Sequence, residues 1–166
     1  MPIRLEPLNS SHFEAVAALV EDPTVRRFTR IPEPPPPGFP ELWLQRYEAG
    51  RREGTREGFA IVEDGTFLGL ALAVSIEREA QTVELGYIVA GPARGRGVAT
   101  EAVRLLTEWA FATLGAVRIE LRISVGNPAS RRVAERCGYQ LEGVMRSVYT
   151  KAGVREDTEL WSRIAE

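Results

Sequence analysis

One pattern constrains the fold more than any other: a strand, a glycine-rich loop, a long helix and a second strand follow one another directly. Val83–Val89 alternates as a strand, and Gly91–Gly97 is a loop rich in glycine and arginine. Val98–Leu114 repeats apolar side chains with a 3.6-residue period and stops at Gly115. Val117–Ile123 alternates again. A crossover of this kind joins two parallel strands.

The other strand patterns are separated by tight turns, around Asp64-Gly65 and around Ala152-Gly153. Strands joined by such turns are antiparallel. With a first strand at Ile3–Leu8, seven strand patterns are present. We therefore predict an α/β (α+β) fold: a mixed, mostly antiparallel seven-stranded sheet with helices on both faces and one central β-α-β crossover. Residues 1–166 would form a single domain.

Two helices are expected before the first hairpin. Ser11-His12-Phe13-Glu14 matches a capping box, and Asp22-Pro23 would end the helix that follows. The next helix spans Glu41–Arg52, with Leu42, Trp43 and Tyr47 at its apolar positions. Between them, the segment 32–40 contains six prolines and predicts a stiff loop, either a plain connector or a wall of a substrate cleft.

The composition excludes several classes of function. Cys137 is the only cysteine and His12 the only histidine, so we expect no disulfide within the chain and no metal site. A net charge of −2 argues against a nucleic-acid partner. No leader peptide and no run of about 18 apolar residues is apparent. We expect a cytoplasmic protein without a membrane span.

The loop before the long helix carries the chemistry. The first N–H groups of a helix lack internal partners and lie at the positive end of its dipole, and glycines let an anion approach the backbone closely. The segment 94–100 therefore predicts a diphosphate cradle, beside which Arg94 and Arg96 add mobile positive charge. A Walker loop would need Gly-Lys-Ser/Thr, which is absent. A dinucleotide fingerprint is nearly met, but its third position is Thr100, and only one crossover is present.

The motifs around this loop resemble those of the GNAT superfamily of N-acetyltransferases, in particular its Rim-type branch. Arg94-x-x-Gly97-x-Ala99 is similar to the family's Arg/Gln-x-x-Gly-x-Gly/Ala signature. Further similar motifs are Glu84-Leu85-Gly86-Tyr87, Asn127-x-x-Ser130, Gly138-Tyr139 and Glu142-Gly143.

The resemblance implies an acetyl-coenzyme A site. Strand backbone at Ile88 and Val89 would pair with the pantetheine arm, and the Val89 N–H would stabilise an oxyanion. Asn127 would bind the end of the pantetheine, and Ser130 would help to protonate the departing thiolate. The residues implied to hold the pyrophosphate are Arg94, Gly95, Arg96, Gly97, Val98, Ala99 and Thr100.

Two departures from the family pattern affect the predicted acid and base. Many members have an acid-donating tyrosine where this chain has Ala134, so Ser130 or Tyr149 would have to serve. The Rim-type branch often has a glutamate at the position of Tyr149, which leaves Glu84 as the best candidate base. Ser130 shares a helical face with Val133, Ala134 and Cys137, which points its hydroxyl inward.

A weak base favours an acceptor that loses its proton easily. Deprotonation at pH 7 costs about 1.4 kcal/mol for an α-amine and about 4.6 kcal/mol for a lysine. The sequence therefore favours a protein N-terminus, as in ribosomal-protein acetylation, over lysine, while polyamines, amino acids and antibiotics stay open. The competing hypotheses are a non-catalytic acyl-coenzyme A-binding module and a small nucleotide-dependent oxidoreductase. The terminal hairpin could also pair with a second subunit in a homodimer.

Overall fold

The computed structural model describes residues 2–166 and contains one seven-stranded sheet with five α-helices. The strands are β1 Arg4–Pro7, β2 Glu57–Glu63, β3 Thr66–Glu77, β4 Thr82–Val89, β5 Arg118–Ser124, β6 Gln140–Lys151 and β7 Val154–Ile164. The helices are α1 Phe13–Glu21, α2 Pro23–Phe28, α3 Phe39–Glu53, α4 Val98–Leu114 and α5 Pro128–Arg136.

The sheet has the predicted mixed architecture. Its strand order is β1-β2-β3-β4-β5-β7-β6, and every neighbouring pair is antiparallel except β4 and β5. These two parallel strands are joined by α4, the predicted crossover. Both hairpins are also present, and Asp64 and Gly65 adopt the positive φ angles of 50° and 76° that a tight two-residue turn requires.

Helices cover both faces of the sheet, as predicted. Leu70 and Leu72 of β3 pack with α1, α2 and α3 in one core cluster. Ala71 and Ala73 of the same strand pack with α4 and α5 in the other. Because successive side chains of a strand point to opposite faces, one strand contributes to both layers. The β4 side chains are divided in the same way, with Tyr87 on the α4 and α5 face and Ile88 on the other.

The first part of the chain differs from the prediction in two places. Asp22-Pro23 does end α1, but it also begins α2, because the Asp22 carboxylate accepts hydrogen bonds from the N–H groups of Thr24 and Val25. The capping box is formed by Asn9 and His12 rather than by Ser11 and Glu14. An N-cap residue and a helix-breaking dipeptide use the same residue types, which is why α2 was missed.

The apolar face of α3 is rotated relative to the prediction. The helix begins at Phe39, and its buried residues include Phe39, Leu44 and Tyr47, whereas Leu42 is 55% exposed. The strand β4 is continuous through Gly86, and the irregularity of its pairing with β3 lies in β3, between Ala73 and Ser75.

The β4 and β5 strands separate part-way along their length. Only residues Thr82–Leu85 of β4 pair with β5, and their partners are Arg118–Leu121. Beyond this paired part, β4 continues to Val89 and β5 to Ser124. The last residues of both strands therefore flank a gap in the sheet. The loop before α4 and the start of α5 follow directly from these two strand ends, so the gap opens beside them.

Within residues 2–166, none of the helices combines the length and the apolarity needed to cross a bilayer.

The close approach of β3 and β4 beside this gap depends on Gly69. Its φ is 155°, and a Cβ atom there would lie 2.0 Å from the Ile88 carbonyl oxygen. We expect Gly69→Ala to lower the free energy of unfolding by about 3 kcal/mol, because the backbone must move. Gly65→Ala is the control, since Gly65 has a positive φ but open space around it, and should cost about 1 kcal/mol. Urea unfolding measures both, and equal losses would contradict the packing argument.

Candidate functional site

A cavity of about 460 Å³ opens where β4 and β5 separate. Its walls come from α2, the end of β4, the loop before α4, the first turn of α4 and the start of α5. Ten of the predicted site residues line this one cavity: Ile88, Val89, Arg94, Gly95, Gly97, Val98, Ala99, Thr100, Asn127 and Ser130. Arg96, Glu84 and Tyr149 are not among its lining residues.

The start of α4 presents an open row of backbone donors. Gly97 caps the helix in the left-handed conformation, with φ 76°, and no side chain caps the first turn. The first helical hydrogen bond runs from the Glu101 N–H to the Gly97 carbonyl, so the N–H groups of residues 98–100 have no intrahelical acceptor. A Cβ atom at Gly97 would meet nothing within 4 Å, which shows open space beside the turn.

The cradle fits a diphosphate. Three unpaired amides at the positive end of a helix of 17 residues favour a bound anion. Arg132 and Arg136 line the same cavity from α5, and their spacing of four residues places them on one helix face. Sequence reasoning missed both residues, although this spacing on the helix that carries Ser130 was a usable signal. Among the described residues, those that line the cavity include no carboxylate.

The predicted mobile charge of Arg94 and Arg96 is wrong. Arg94 donates to the Val89 carbonyl at 3.2 Å and to the Asp22 carboxylate at 3.0 Å. Arg96 is paired with Glu63 at 2.6 Å. Both guanidinium groups therefore have protein partners, and Arg94 ties the cradle loop to the start of α2 and to the end of β4.

Asp22 is an anion in this ion pair with Arg94. Burial raises its pKa, but hydrogen bonds from the N–H groups of Thr24 and Val25 and the Arg94 guanidinium outweigh burial, so the pKa lies below its ordinary value. The carboxylate thus caps α2 and binds Arg94 at the same time.

The strand backbone faces the gap at Tyr87 and Val89 rather than at Ile88. The Ala90 N–H donates to the Leu68 carbonyl of the neighbouring chain segment at 2.8 Å. Alternate residues of an antiparallel strand turn their backbone groups to the same side, so Ile88 also bonds toward β3. Tyr87 and Val89 turn theirs toward the side where β5 has diverged. The Val89 N–H, which was predicted as the oxyanion donor, is therefore not used in strand pairing. The backbone of Tyr87, rather than that of Ile88, is oriented to pair with a pantetheine arm.

Ser130 is the centre of a polar cluster on the cavity wall. Its Oγ lies 2.7 Å from the Tyr87 phenol oxygen and accepts a hydrogen bond from Asn127 Nδ2 at 3.1 Å. Asn127 also caps α5, because its Oδ1 accepts from the Ser130 N–H at 3.3 Å. Ser130 therefore bonds to the asparagine that caps its own helix and also lines the cavity.

Tyr87 is the polar group that sequence reasoning did not place in the site. Burial raises the pKa of its phenol, and the hydrogen bond with Ser130 opposes this effect only in part. The phenol therefore keeps its proton at neutral pH. Tyr87 and Ser130 are 43 residues apart in the chain, so the only available signal was the missing tyrosine at Ala134.

Glu84 and Tyr149 do not line the cavity and have partners elsewhere in the protein. The Glu84 carboxylate contacts Arg30 at 3.4 Å and Arg122 at 3.1 Å. The Tyr149 phenol donates to the Thr29 carbonyl at 2.8 Å, and burial raises its pKa. Tyr149 therefore holds the segment after α2 in place, and the structure does not bring its hydroxyl to Ser130.

The proline-rich segment does not line this cavity. None of residues 32–40, all of which the structure describes, lines the cavity. On the side of α2, the cavity is lined by Thr24, Val25 and Phe28 and by the following Thr29. Lys151 supports the same segment by donating to the carbonyls of Thr29 and Ile31.

Within residues 2–166, no group of three or more His, Cys, Asp and Glu side chains is arranged to hold a metal ion.

Comparison with known protein families identifies the family of the chain. The model of the acetyltransferase (GNAT) domain matches residues 3–140. The chain belongs to the GNAT acetyltransferase family. The resemblance of the loop and of the two following motifs is thereby confirmed at the level of the family.

Several curated relatives are N-acetyltransferases by name. The chain is 36% identical to a probable N-acetyltransferase, YjcK of Bacillus subtilis, over 104 residues. This alignment covers 62% of the chain and 58% of YjcK. The chain is 28% identical over 116 residues to the ribosomal-protein-serine acetyltransferase of Escherichia coli, which covers 69% and 64%. The first three relatives are matched over 58%, 56% and 63% of their length.

Solved structures share the fold at low sequence identity. The ribosomal L7/L12 α-N-protein acetyltransferase RimL, in complex with coenzyme A, superimposes with a TM-score of 0.88 and 22% identity, over 98% of this chain and 93% of that one. The spermidine N-acetyltransferase of Vibrio cholerae, in complex with coenzyme A and spermine, gives 0.87 and 20%, over 98% and 95%. The seven-stranded architecture is confirmed by both.

The two ends of α4 provide a matched test of the cradle. Gly97 and Gly115 both adopt left-handed φ angles with open space around them, at the start and the end of the helix. We expect Gly97→Ala to weaken coenzyme A binding at least about 10-fold, because relief of the strain reorients the first amides. Gly115→Ala should cost similar stability, about 1 kcal/mol, and leave affinity within about twofold. Calorimetric titration with coenzyme A decides, and equal affinities in the two variants would refute the cradle.

Proposed function

We propose that the protein is an acetyl-coenzyme A-dependent N-acetyltransferase that acetylates a primary amine, with a protein N-terminal α-amine of the ribosomal-protein type as the preferred acceptor. The observation that carries this proposal is one cavity that combines the open amides of α4, the backbone at Val89 and the hydroxyl of Ser130. The amine attacks directly, in a ternary complex.

The proposed binding follows the order of the cavity wall. The amides of residues 98–100 hold the pyrophosphate, and Arg132 and Arg136 add positive charge from α5. The backbone of Tyr87 bonds to the pantetheine arm in place of the diverged β5 strand, whereas the Val89 carbonyl already accepts from Arg94. Asn127 lies at the end of this path, beside Ser130.

The proposed chemistry uses two groups of the protein. Acetyl-coenzyme A supplies a thioester carbonyl and a thiol leaving group. The Val89 N–H stabilises the negative charge that develops on the carbonyl oxygen. Ser130 donates its hydroxyl proton to the departing sulfur, and no covalent acyl-enzyme is required.

The choice of acceptor rests on what the cavity wall lacks. Among the described residues, those lining it include no carboxylate, histidine or lysine. Glu84, which we propose as the base, does not line the cavity and acts through water, while its carboxylate is shared with Arg30 and Arg122. This arrangement suits an α-amine, whose deprotonation at pH 7 costs about 1.4 kcal/mol, better than a lysine or polyamine amine.

A polyamine is the second candidate acceptor. The spermidine N(1)-acetyltransferase of Escherichia coli is 25% identical over 141 residues, which covers 85% of the chain. The charge of the site argues against this acceptor, because Arg132 and Arg136 line the cavity and no carboxylate does. The Glu156 carboxylate is not free to bind a cationic amine either, because it is paired with Arg27 at 2.8 Å.

A homodimer would use the sheet edge formed by β6. Leu141, Val144 and Val148 of this strand are exposed. The single buried Cys137 is consistent with the cytoplasm that we propose as the location. Sedimentation velocity of the purified chain tests the dimer directly.

An acceptor panel tests the proposed function. Thiol release from acetyl-coenzyme A is measured with N-terminal peptides, with N-terminally blocked lysine peptides and with spermidine. We expect kcat/KM for the N-terminal peptides to exceed the others at least about 10-fold. A preference for spermidine would overturn the α-amine proposal, and binding without thiol release to any amine would indicate an acyl-coenzyme A-binding module. Tight binding of NAD in place of acetyl-coenzyme A would favour an oxidoreductase.

Ser130→Ala tests the proposed acid. We expect kcat to fall about 100-fold, because the sulfur loses its proton donor. The affinity for coenzyme A should stay within about threefold, since the pyrophosphate cradle is untouched. Steady-state kinetics and calorimetric titration measure the two quantities, and an unchanged kcat would remove Ser130 from the mechanism.

A further inference from the structure

Three side chains from two elements meet at Ser130 Oγ. Tyr87 reaches it from β4 at 2.7 Å, and Asn127 Nδ2 donates to it at 3.1 Å from the start of α5. Tyr87 and Ser130 both line the cavity. The hydrogen bond between them therefore links the part of the cavity wall formed by β4 to the part formed by α5.

Either oxygen can donate in this hydrogen bond, and the number of protons and acceptors in the cluster favours the phenol as the donor. A serine hydroxyl carries one proton and can accept two hydrogen bonds, while the phenol also carries one proton. If Ser130 donated to Tyr87, its only proton would be engaged by the phenol oxygen and would not be available to a group bound in the cavity. If Tyr87 donates, Ser130 Oγ accepts from both neighbours and its own proton is free. Burial raises the pKa of Tyr87, so the phenol stays protonated as a donor.

The geometry points to Tyr87 as a positioning residue for Ser130: its phenol donates to Ser130 Oγ, so that the Ser130 proton faces the leaving sulfur. This inference rests on the proposed acetyl transfer. It assigns to a strand residue the task of orienting the helix residue that donates the proton. Because two donors converge on Ser130 Oγ, they also stabilise the negative charge that forms there as the proton leaves.

The proton transfer balances without a further reactant. As the tetrahedral species collapses, the carbon–sulfur bond breaks and its electron pair stays on sulfur. The Ser130 hydroxyl proton forms the new S–H bond. The attacking nitrogen, positively charged at that stage, loses one proton to the water through which Glu84 acts, and a proton from that water restores the Ser130 hydroxyl. The net change is one proton moved from nitrogen to sulfur, and Tyr87 keeps its own proton throughout.

A double-mutant cycle on the full chain tests the inference. We expect Tyr87→Phe to lower kcat about 10-fold, the effect of losing one such hydrogen bond, with KM for acetyl-coenzyme A within about twofold. In the Ser130→Ala background the same change should alter kcat by less than about twofold, because no proton is left to orient. An equal loss of kcat in both backgrounds, or an unchanged kcat in Tyr87→Phe, would overturn the inference.

The chain offers a matched control for the loss of a phenol hydroxyl. Tyr139 is also buried, and its phenol oxygen lies 2.7 Å from Thr107 Oγ1, in the core and not on the cavity wall. Tyr139→Phe should leave kcat within about twofold while it lowers the melting temperature. A comparable fall of kcat in this variant would show a general structural effect and overturn the specific role of Tyr87.

Failure of the inference is distinguishable from failure of the proposed function. Absence of thiol release in the unmodified protein, or an unchanged kcat in Ser130→Ala, would reject the proposed chemistry itself. Loss of kcat in Ser130→Ala together with an additive effect of Tyr87→Phe would leave the acetyl transfer intact and reject only the positioning role.

Discussion

The structure depends on the end of one parallel strand pair. Four residue pairs join β4 to β5, and beyond Leu85 and Leu121 the two strands diverge. A backbone N–H or carbonyl without a partner is costly once it is buried, so the backbone of Tyr87 and the N–H of Val89 favour a ligand that can bond like a strand. A pantetheine arm has amide groups of this kind. The gap is therefore both an unsatisfied part of the sheet and the proposed coenzyme site.

Long-range contacts connect the coenzyme side of this gap to the acceptor side. Arg94 in the cradle loop binds Asp22, which caps α2, and α2 forms the opposite wall. Tyr149 and Lys151 of β6 donate to the carbonyl of Thr29. The wall is thus fixed from two directions by side chains distant in sequence. The Arg94 charge, which was predicted to serve the anion site, instead joins the cradle loop to α2.

Local signals made the fold and half of the site predictable, and tertiary contacts account for the rest. The α4 period, the glycine before it and the Asn127 cap depend on residues within a few positions of each other, and each is confirmed. Arg94 could not be interpreted in the same way, because its partner Asp22 lies 72 residues away. The α2 helix was missed for a different reason, since Asp22-Pro23 serves as both a stop and a start. No alternation rule indicates that the phenol of Tyr87 reaches α5.

The position of the phenol follows from the packing of α5. Ala134 is fully buried against the core, so a tyrosine at that position would need the neighbouring side chains to move. The phenol comes instead from β4, a central strand that is paired on both sides at its start and by β3 along its length. A group carried by such a strand has little freedom to move relative to the sheet. The sheet can therefore orient Ser130 more firmly than a second side chain of the short helix α5 could.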